Sequence, residues 1–324
     1  MTLKPAEQGA STTTVLIFND AAEKFRSALA PSFPGVDFLC APTRDEALRL
    51  AHKADVLMAY AQQIDDELVA AAPGLKWIQA LTTGTDAITA LTTLGREVVV
   101  TSARGVHGPQ MAELAFMYML ALSRNLPRML DNQKNAAWEV WPQPLLWQKT
   151  VTILGVGAIT EALAQRCKAF GMTVLGISSA DRQVDGIDRM YPRERMKEAV
   201  SLADYFIVLV PHAKATDKIV NADVLASMKP QAYLINIARG GVMDEAALLD
   251  VLQRKAIAGA GLDVFQVEPL PAAHPFWSLD NVLITPHLGG YSAVYAEQVM
   301  PVLRNNLGHF LDGTPDKMMN IVTI

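Results

Sequence analysis

The chain has 324 residues, a length that favours two domains over a single hydrophobic core. Hydrophobic residues make up 51% of the chain and charged residues 19%, which is typical of a folded globular protein and excludes a disordered one. The formal net charge is −5, from 28 Lys and Arg against 33 Asp and Glu, so we expect no general nucleic-acid binding.

Other bulk features argue against a disulfide framework and a membrane span. The two cysteines, Cys40 and Cys167, are too few for a disulfide framework. They also lack metal-ligand spacing, so we predict no metal site. The longest apolar run, residues 115–122, is far shorter than the ~18 residues that a membrane helix needs. Residues 1–12 read as a loose polar leader rather than a secretory signal, and we expect a cytoplasmic protein.

Short strand and helix patterns alternate along the first hundred residues, which predicts a mainly parallel sheet covered by helices. The predicted strands are residues 15–18, 36–39, 56–59, 77–81 and 98–101, and the predicted helices are 21–30, 44–54 and 65–72. Tyr60 and the turn Thr83-Gly84-Thr85 follow two of these strands. A glycine and successive N–H groups can hold an anion there, and Tyr60 can line the same crevice. An ordinary turn and a core position for Tyr60 are the open alternatives.

A dense apolar segment, residues 110–124, predicts a buried helix that joins two domains. The next segment, residues 131–147, contains Trp138, Trp141 and Trp147 and predicts a packed arm that is compatible with an oligomer contact.

A second alternating series begins at residue 150. Its predicted strands are residues 151–154, 174–177, 205–210, 233–237, 259–264 and 282–284, and its predicted helices are 161–170, 222–228, 245–254 and 293–311. We expect the last helix to return to the first domain. The sequence therefore predicts a discontinuous substrate-binding domain, residues 1–104 and 291–324, and a dinucleotide-binding domain, residues 105–290.

The turn Gly155-Val156-Gly157-Ala158-Ile159 lies between a predicted strand and a predicted helix, the context of a Rossmann dinucleotide fingerprint. Gly155 permits the tight turn, and Gly157 lets a pyrophosphate approach backbone N–H groups at the helix N-terminus. Thr160 stands in place of the third glycine. We expect it to alter packing without abolishing phosphate binding.

The tip of the next strand indicates which dinucleotide binds. NAD enzymes usually place an acidic residue there for the ribose, but here Ser178 and Ser179 stand at the tip and Arg182 follows. Hydroxyls and an arginine suit a 2′-phosphate, so we predict NADPH. If Asp181 turned back to the ribose, the cofactor would be NAD, and that alternative is open.

Three later strand patterns each end in a residue able to take part in chemistry. Arg239 follows the first, Asp263 and Glu268 follow the second, and His287 follows the third. Ligands bind beyond the carboxyl ends of parallel strands, so these side chains are expected to converge. Together they predict a site for an anionic substrate that exchanges a proton.

The phrases that carry a family resemblance are ARGVHGPQMAELAFMYMLALSR, TVTILGVGAI, NIARGGVMDEAALLDVL, GAGLDVFQVEPLP and ITPHLGG. They resemble the signatures of the D-isomer-specific 2-hydroxyacid dehydrogenases, and FGMTVLGISS is similar to the glyoxylate/hydroxypyruvate reductase branch. The resemblance implies an α/β fold of two doubly wound parallel-sheet domains, a Rossmann nucleotide-binding domain and a flavodoxin-like substrate domain.

The resemblance also implies roles for single residues. Arg239 would bind the substrate carboxylate and 2-oxo oxygen, His287 would be the general acid, and Glu268 would orient the imidazole. Asp263 would bind the nicotinamide carboxamide, and the turn at residues 83–85 would bind the substrate carboxylate. The other positions expected at the cofactor are Val210, Pro211, Thr216, Ile237, Ala238, Arg239, His287, Gly289 and Gly290.

His212 and Ala213 depart from the Pro-Leu-Thr of the family, and we expect His212 to fill space only. We predict a homodimeric, NADPH-dependent reductase that converts a small 2-oxo acid, such as glyoxylate or hydroxypyruvate, to the D-2-hydroxy acid. One alternative is a dehydrogenase of another acid such as phosphoglycerate. The other is a non-catalytic NAD(H)-sensing protein similar to the corepressors of the family. No nucleic-acid or membrane partner is expected.

Overall fold

A computed structural model describes residues 12–180 and 182–323. The chain divides into two compact units: the first unit runs up to Val106 and resumes at Ala293, and the second unit is His107–Ser292. The predicted boundaries, after residues 104 and 290, each fall two residues earlier than these, and as limits of functional domains they stay a prediction. Residues 1–11 of the expected leader, and Asp181, lie outside the described residues.

The strands are short and follow most of the predicted ones. In chain order they are β1 (Thr14–Phe18), β2 (Asp37–Ala41), β3 (Val56–Ala59), β4 (Trp77–Ala80), β5 (Val99–Thr101), β6 (Thr150–Leu154), β7 (Thr173–Ser178), β8 (Arg189–Pro192), β9 (Tyr205–Val208), β10 (Tyr233–Asn236), β11 (Gly259–Leu262) and β12 (Val282–Ile284).

The helices lie between the strands, as a βα alternation predicts. They are α1 (Ala22–Leu29), α2 (Arg44–Ala51), α3 (Asp66–Ala70), α4 (Asp86–Thr89), α5 (Gly108–Arg124), α6 (Leu126–Lys134), α7 (Ala158–Ala169), α8 (Met196–Ser201), α9 (Ala222–Ala226), α10 (Glu245–Gln253) and α11 (Tyr295–Leu311). None of the helices within the described ranges has the length and apolar character required to cross a membrane.

The sheet of the first unit has the strand order β2-β1-β3-β4-β5, and every pair is parallel. This is the flavodoxin-like order, in which the direction of winding reverses between β1 and β3. Helix α11 belongs to this unit, because Val299 and Leu303 share a buried cluster with Phe25 and Leu29 of α1.

The sheet of the second unit has the order β12-β11-β10-β9-β6-β7-β8, again with every pair parallel. Its winding reverses between β6 and β9, as in a Rossmann domain, so a ligand-binding crevice is expected beyond the end of β6. The turn that follows Leu154 is the predicted dinucleotide turn, and the sheet therefore positions it at the switch point.

Side-chain caps explain why several of the helices begin where they do. Asp65, Asn221 and Asp244 each accept a hydrogen bond from the backbone N–H three residues later, at 3.0, 3.1 and 3.1 Å. Such caps satisfy N–H groups that have no partner inside the helix. Thr43 caps α2 as the sequence predicts, by accepting from the Glu46 N–H at 3.4 Å.

Three features of the second unit differ from what the sequence led us to expect within a single chain. Strand β8 was not predicted, because its residues, RMYP, carry a charge and a proline and lie at the sheet edge. The arm was expected to be packed. Instead Trp138 is 97% exposed and Val140 is 90% exposed, although Arg128 stacks on the Trp141 ring at 4.3 Å. The arm also begins with an unpredicted helix, α6.

Candidate active site

The predicted site residues of the second unit follow neighbouring strands of one parallel sheet. From one side of the sheet to the other, they are His287 after β12, Asp263 after β11, Arg239 after β10, Val210 after β9, Gly155 after β6 and Ser178 at the end of β7. Because the strands are parallel, these positions lie along a single edge. A long ligand can therefore lie across the strand ends and contact several of these positions.

The dinucleotide turn requires glycine at its first position. Gly155 has a φ of +96°, and a Cβ there would lie 2.7 Å from the Val210 nitrogen. Gly157 begins α7, where no described side chain caps the helix and no described heavy atom would lie within 4 Å of an added Cβ. N–H groups at an uncapped helix N-terminus bind anions, so the residues present fit a pyrophosphate.

Thr160 closes this turn from within α7. It is 1% exposed, and its hydroxyl donates to the Gly155 carbonyl oxygen at 2.6 Å. The residue that replaces the third glycine therefore holds the turn by a buried hydrogen bond. Ala158 and Ile159 precede Thr160 on α7. The carbonyl oxygen of Val156, also in this turn, accepts a hydrogen bond from the Arg182 guanidinium at 2.8 Å.

The predicted 2′-phosphate residues lie beside the turn. Ser178 ends β7, and its Oγ accepts from the Ala180 N–H at 3.0 Å, while Ser179 is exposed. The Arg182 guanidinium is 3.1 Å from Glu161 Oε1 on α7. Glu161 was not predicted to take part in cofactor binding.

Arg239 lies in a tightly packed turn after β10. Buried Asn236 donates to the Arg239 carbonyl at 3.1 Å and accepts from the Ala238 N–H at 3.2 Å, so one side chain spans the turn. Ile237 and Ala238 are buried beside it. A Cβ on Gly240 would overlap the Phe265 carbonyl, which shows how closely this turn approaches the loop that follows β11.

Glu268 and His287 form a direct pair. Glu268 Oε2 lies 2.7 Å from His287 Nδ1, and Glu268 Oε1 accepts from the Phe265 N–H at 2.9 Å. The histidine has a φ of +53°, a left-handed conformation that costs a non-glycine residue free energy and is found often at functional sites. The contact with Glu268 therefore holds the imidazole ring through Nδ1, and Nε2 is the ring nitrogen that does not contact Glu268.

The electrostatic surroundings favour an ionised Glu268. Partial burial alone would raise the pKa of this carboxyl group, but four other influences outweigh it. Hydrogen bonds from His287 and from the Phe265 N–H lower the pKa, and so do the coulombic interactions with His287 and with Arg239. The resulting pKa lies below the ordinary value of 4.5.

Asp263 holds the loop that carries His287. It is 1% exposed, and its carboxylate accepts from the Thr285 hydroxyl, from the Leu288 N–H at 2.8 Å and from the Gly289 N–H at 2.9 Å. Its carbonyl oxygen accepts from the His287 N–H at 2.8 Å. A buried carboxylate is tolerated when donors surround it, and here the donors are the loop itself. Its contact with the nicotinamide stays a prediction.

A third group extends this arrangement into α5. The hydroxyl of Tyr118, which is fully buried, lies 2.5 Å from Thr285 Oγ1. Because Thr285 donates to Asp263, the tyrosine is the donor to Thr285. Burial raises the pKa of Tyr118, so the hydroxyl keeps its proton. Gly289 fits beside this helix, since a Cβ there would lie 2.8 Å from Met111 Sδ.

The segment after β9 is held by Thr216, which is 3% exposed. Its hydroxyl donates to the Pro211 carbonyl at 2.6 Å and accepts from the Ala213 N–H at 2.8 Å, and Val210 is buried. His212 contacts Asp217 Oδ1 through Nε2 at 2.9 Å, and a Cβ on Gly241 would lie 2.7 Å from its ring. The imidazole thus packs against the turn after Arg239, and its expected role as filler stays a prediction.

The predicted substrate residues other than Arg239 belong to the first unit. Tyr60 follows β3, and Thr83, Gly84 and Thr85 follow β4, so they share the carboxyl edge of that sheet. The Thr82 hydroxyl donates to the Gly84 carbonyl at 2.7 Å and closes the turn. Their contact with a substrate stays a prediction.

A sequence model described as "D-isomer specific 2-hydroxyacid dehydrogenase, NAD binding domain" matches residues 116–289. Glyoxylate reductase of Thermofilum pendens is 32% identical over 290 residues, which cover 86% of this chain and 85% of that protein. The chain belongs to the D-isomer-specific 2-hydroxyacid dehydrogenase family. The predicted family is thereby confirmed.

Other members of the family are similar along nearly the same length of chain. D-3-phosphoglycerate dehydrogenase of Methanocaldococcus jannaschii is 31% identical over 289 residues, covering 85% of this chain and 54% of that protein. A solved family protein from Aeromonas salmonicida has 32% identity and a TM-score of 0.90, covering 97% of this chain and 99% of that one. The NADPH-dependent glyoxylate/hydroxypyruvate reductase of Sinorhizobium meliloti, solved with NADP and sulfate, has 26% identity and a TM-score of 0.83, covering 96% and 98%.

These structures confirm the predicted fold class of two parallel-sheet α/β domains. The family also supports a nicotinamide cofactor for the second unit. Sequence reasoning nevertheless missed Asn236, Thr285 and Tyr118, which hold the predicted residues in place. Thr285 stands two residues before His287, but its partners are 22 and 167 residues away in sequence, and no local pattern announces them.

Proposed function

We propose that this protein reduces a small 2-oxo acid, of the size of glyoxylate or hydroxypyruvate, to the D-2-hydroxy acid with NADPH. The observation that carries the proposal is the 2.7 Å contact between His287 and Glu268, in a sheet whose strand β10 ends just before Arg239. A proton donor beside a cationic carboxylate receptor is what reduction of a 2-oxo acid requires.

The dinucleotide turn supplies the place for the cofactor. Gly155 and Gly157 leave room for the pyrophosphate at the N-terminus of α7, and Ser178 and Arg182 would hold the adenosine end. The reduced nicotinamide, when bound, supplies a hydride to the carbonyl carbon of the substrate. Everything else in the reaction depends on side chains of the chain itself.

Arg239 would bind the substrate carboxylate and the 2-oxo oxygen, because its planar guanidinium can donate to two oxygens at once. His287, protonated at Nε2, would give that proton to the carbonyl oxygen as the C–H bond forms. Glu268 holds Nδ1 at 2.7 Å and so keeps Nε2 directed away from itself. The ionised carboxylate also stabilises the imidazolium until the proton is transferred.

The choice of NADPH is supported by the polar end of β7. Ser178 and Ser179 offer hydroxyl groups in place of the acidic residue that repels a 2′-phosphate, and Arg182 lies next to the turn. The Sinorhizobium reductase, 26% identical, is NADPH-dependent, in keeping with this choice.

The test is to follow NADPH and NADH oxidation by the purified protein with glyoxylate, hydroxypyruvate, pyruvate and 3-phosphohydroxypyruvate. We expect turnover with glyoxylate or hydroxypyruvate and a lower KM for NADPH than for NADH. Preferential turnover of the phosphorylated acid would favour the phosphoglycerate dehydrogenase alternative, which has support in the Methanocaldococcus relative. Nucleotide binding without turnover of any acid would favour a sensing protein.

We also propose a homodimer that covers the arm of the second unit. Trp138 is 97% exposed, Val140 90% and Trp147 60%, so the arm presents several large apolar side chains to solvent. Such surfaces on folded proteins usually contact another chain. Light scattering should give twice the mass of the chain, and Trp138→Ser with Val140→Ser should shift the mass towards that of one chain.

A further inference from the structure

The Arg182 side chain is already engaged at the place where a 2′-phosphate is expected. Its guanidinium donates to the Val156 carbonyl at 2.8 Å and pairs with Glu161 Oε1 at 3.1 Å. Val156 belongs to the dinucleotide turn, so the arginine lies directly against that turn. The contacts therefore link the phosphate-binding helix to the segment that follows β7.

Glu161 stands in the first turn of α7. A carboxylate is stabilised there by the helix dipole, so it is held near the turn before any nucleotide arrives. The two side chains are 41% and 49% exposed, which makes their pairing weak and open to competition. A dianionic phosphate competes for the arginine better than a carboxylate does, because it carries more charge and more acceptor oxygens.

We propose that Glu161 sets the cofactor selectivity of this protein by competing with the 2′-phosphate of NADPH for Arg182. This inference rests on the proposed function, in which NADPH binds at the turn. NADH has a hydroxyl at the 2′ position and needs no free arginine, so the carboxylate weakens the binding of NADPH more than that of NADH. The chain thus contains both a residue that favours the phosphate and one that moderates the preference.

The experiment measures the dissociation constants of NADPH and NADH by fluorescence titration, which requires no catalysis. We compare the natural protein with Glu161→Gln, Arg182→Gln and the double variant. Exposed ion pairs contribute little, so Glu161→Gln should raise the preference for NADPH over NADH about two- to fivefold. In the Arg182→Gln background the same substitution should leave the preference unchanged, because the group competed for is gone.

A matched control is Glu198→Gln. Glu198 pairs with Arg195 at 2.6 Å and is 45% exposed. The substitution therefore removes the same charge from a similar exposed ion pair elsewhere in the second unit. It should change neither constant. Glu161→Ala should reproduce the effect of Glu161→Gln and guards against an effect specific to the amide.

Three results would overturn the inference. The first is that Glu161→Gln leaves both dissociation constants unchanged, the second is that it tightens NADH as much as NADPH, and the third is that it changes the preference equally in the Arg182→Gln background. Failure of the proposed function looks different: neither nucleotide binds the natural protein, and both ideas fall. If both bind but Arg182→Gln weakens NADPH no more than NADH, the NADPH assignment and this inference fail together, while dinucleotide binding stands.

Discussion

The hydroxyl of Thr160 donates a 2.6 Å hydrogen bond to the carbonyl oxygen of Gly155. The contact joins the first turn of helix α7 to the glycine that begins the dinucleotide turn, and Thr160 is 1% exposed. A residue that departs from the usual glycine thereby stabilises the turn instead of disturbing it.

We expect Thr160→Val to lower the stability of the protein, because the Gly155 carbonyl would lose its donor in a buried place. Loss of a buried partner costs about 1–3 kcal/mol, and the NADPH dissociation constant should rise as the turn loosens. Thermal unfolding measures the loss of stability, and nucleotide titration measures the dissociation constant of NADPH. Thr160→Ser keeps the hydroxyl and should remain close to the natural protein; a serine variant as damaged as the valine one would show that the hydrogen bond is not the cause.

Replacing His287 should remove catalysis and spare nucleotide binding. A positioned general acid contributes about 10²–10⁴-fold to the rate, so His287→Gln should lower kcat by that factor. The dissociation constant for NADPH should change much less than kcat, since the turn after β6 is untouched. His309→Gln, which alters a histidine bonded to Thr314 at 3.0 Å in the first unit, is the control. A His287→Gln enzyme with near-normal kcat would contradict the assigned role.

The lowered pKa of Glu268 predicts a pH dependence of stability. The carboxyl group binds its proton less readily in the folded protein than in the unfolded chain, where its pKa is about 4.3. The ionised group therefore contributes stability above that pH, and the contribution is lost as the pH falls through the lower pKa of the folded state. The melting temperature of the natural protein should exceed that of Glu268→Gln at neutral pH, and the difference should shrink in acid.

The control for this comparison is Glu194→Gln, an exposed carboxyl group of the second unit. Its difference from the natural protein should be small at every pH. A Glu268→Gln difference that grew as the pH fell would contradict the sign of the pKa shift.

Thr285 should matter through Asp263, although it was not predicted as a site residue. Thr285→Val removes a donor from a carboxylate that is 1% exposed, which should lower the melting temperature by about 2–10 °C. It should also lower kcat, because the loop that carries His287 loses part of its support. Thr285→Ser keeps the donor and should restore both values. A serine variant as damaged as the valine variant would show that the hydroxyl alone does not account for the losses.

The order of the strand-end residues could be predicted because it depends on periodicity and topology. Apolar runs of four or five residues mark parallel strands, and parallel strands bring the residues after them to one edge. Arg239, Glu268 and His287 were predicted in this way. Gly155 was recognisable because the turn of a nucleotide fold requires a backbone that only glycine adopts easily.

The supporting contacts could not be predicted because they join segments distant in sequence. Nothing around Tyr118 distinguishes it from the other apolar residues of α5, and only the packed structure brings its hydroxyl to Thr285. Glu161 resembles any acidic residue in the first turn of a helix until its distance from Arg182 is known. The exposed arm was missed for a related reason, since three tryptophans usually indicate burial.

The hydrogen bonds of the Asp263 side chain have a consequence for the order in which the chain folds while it is being synthesised. All of its described donors, Thr285, Leu288 and Gly289, leave the ribosome after it does. Until they emerge, the carboxyl group that follows β11 cannot be enclosed without losing its hydrogen bonds with water. Strand β11 should therefore dock late during synthesis, and nascent chains that stop short of residue 289 should remain open to proteases at this strand.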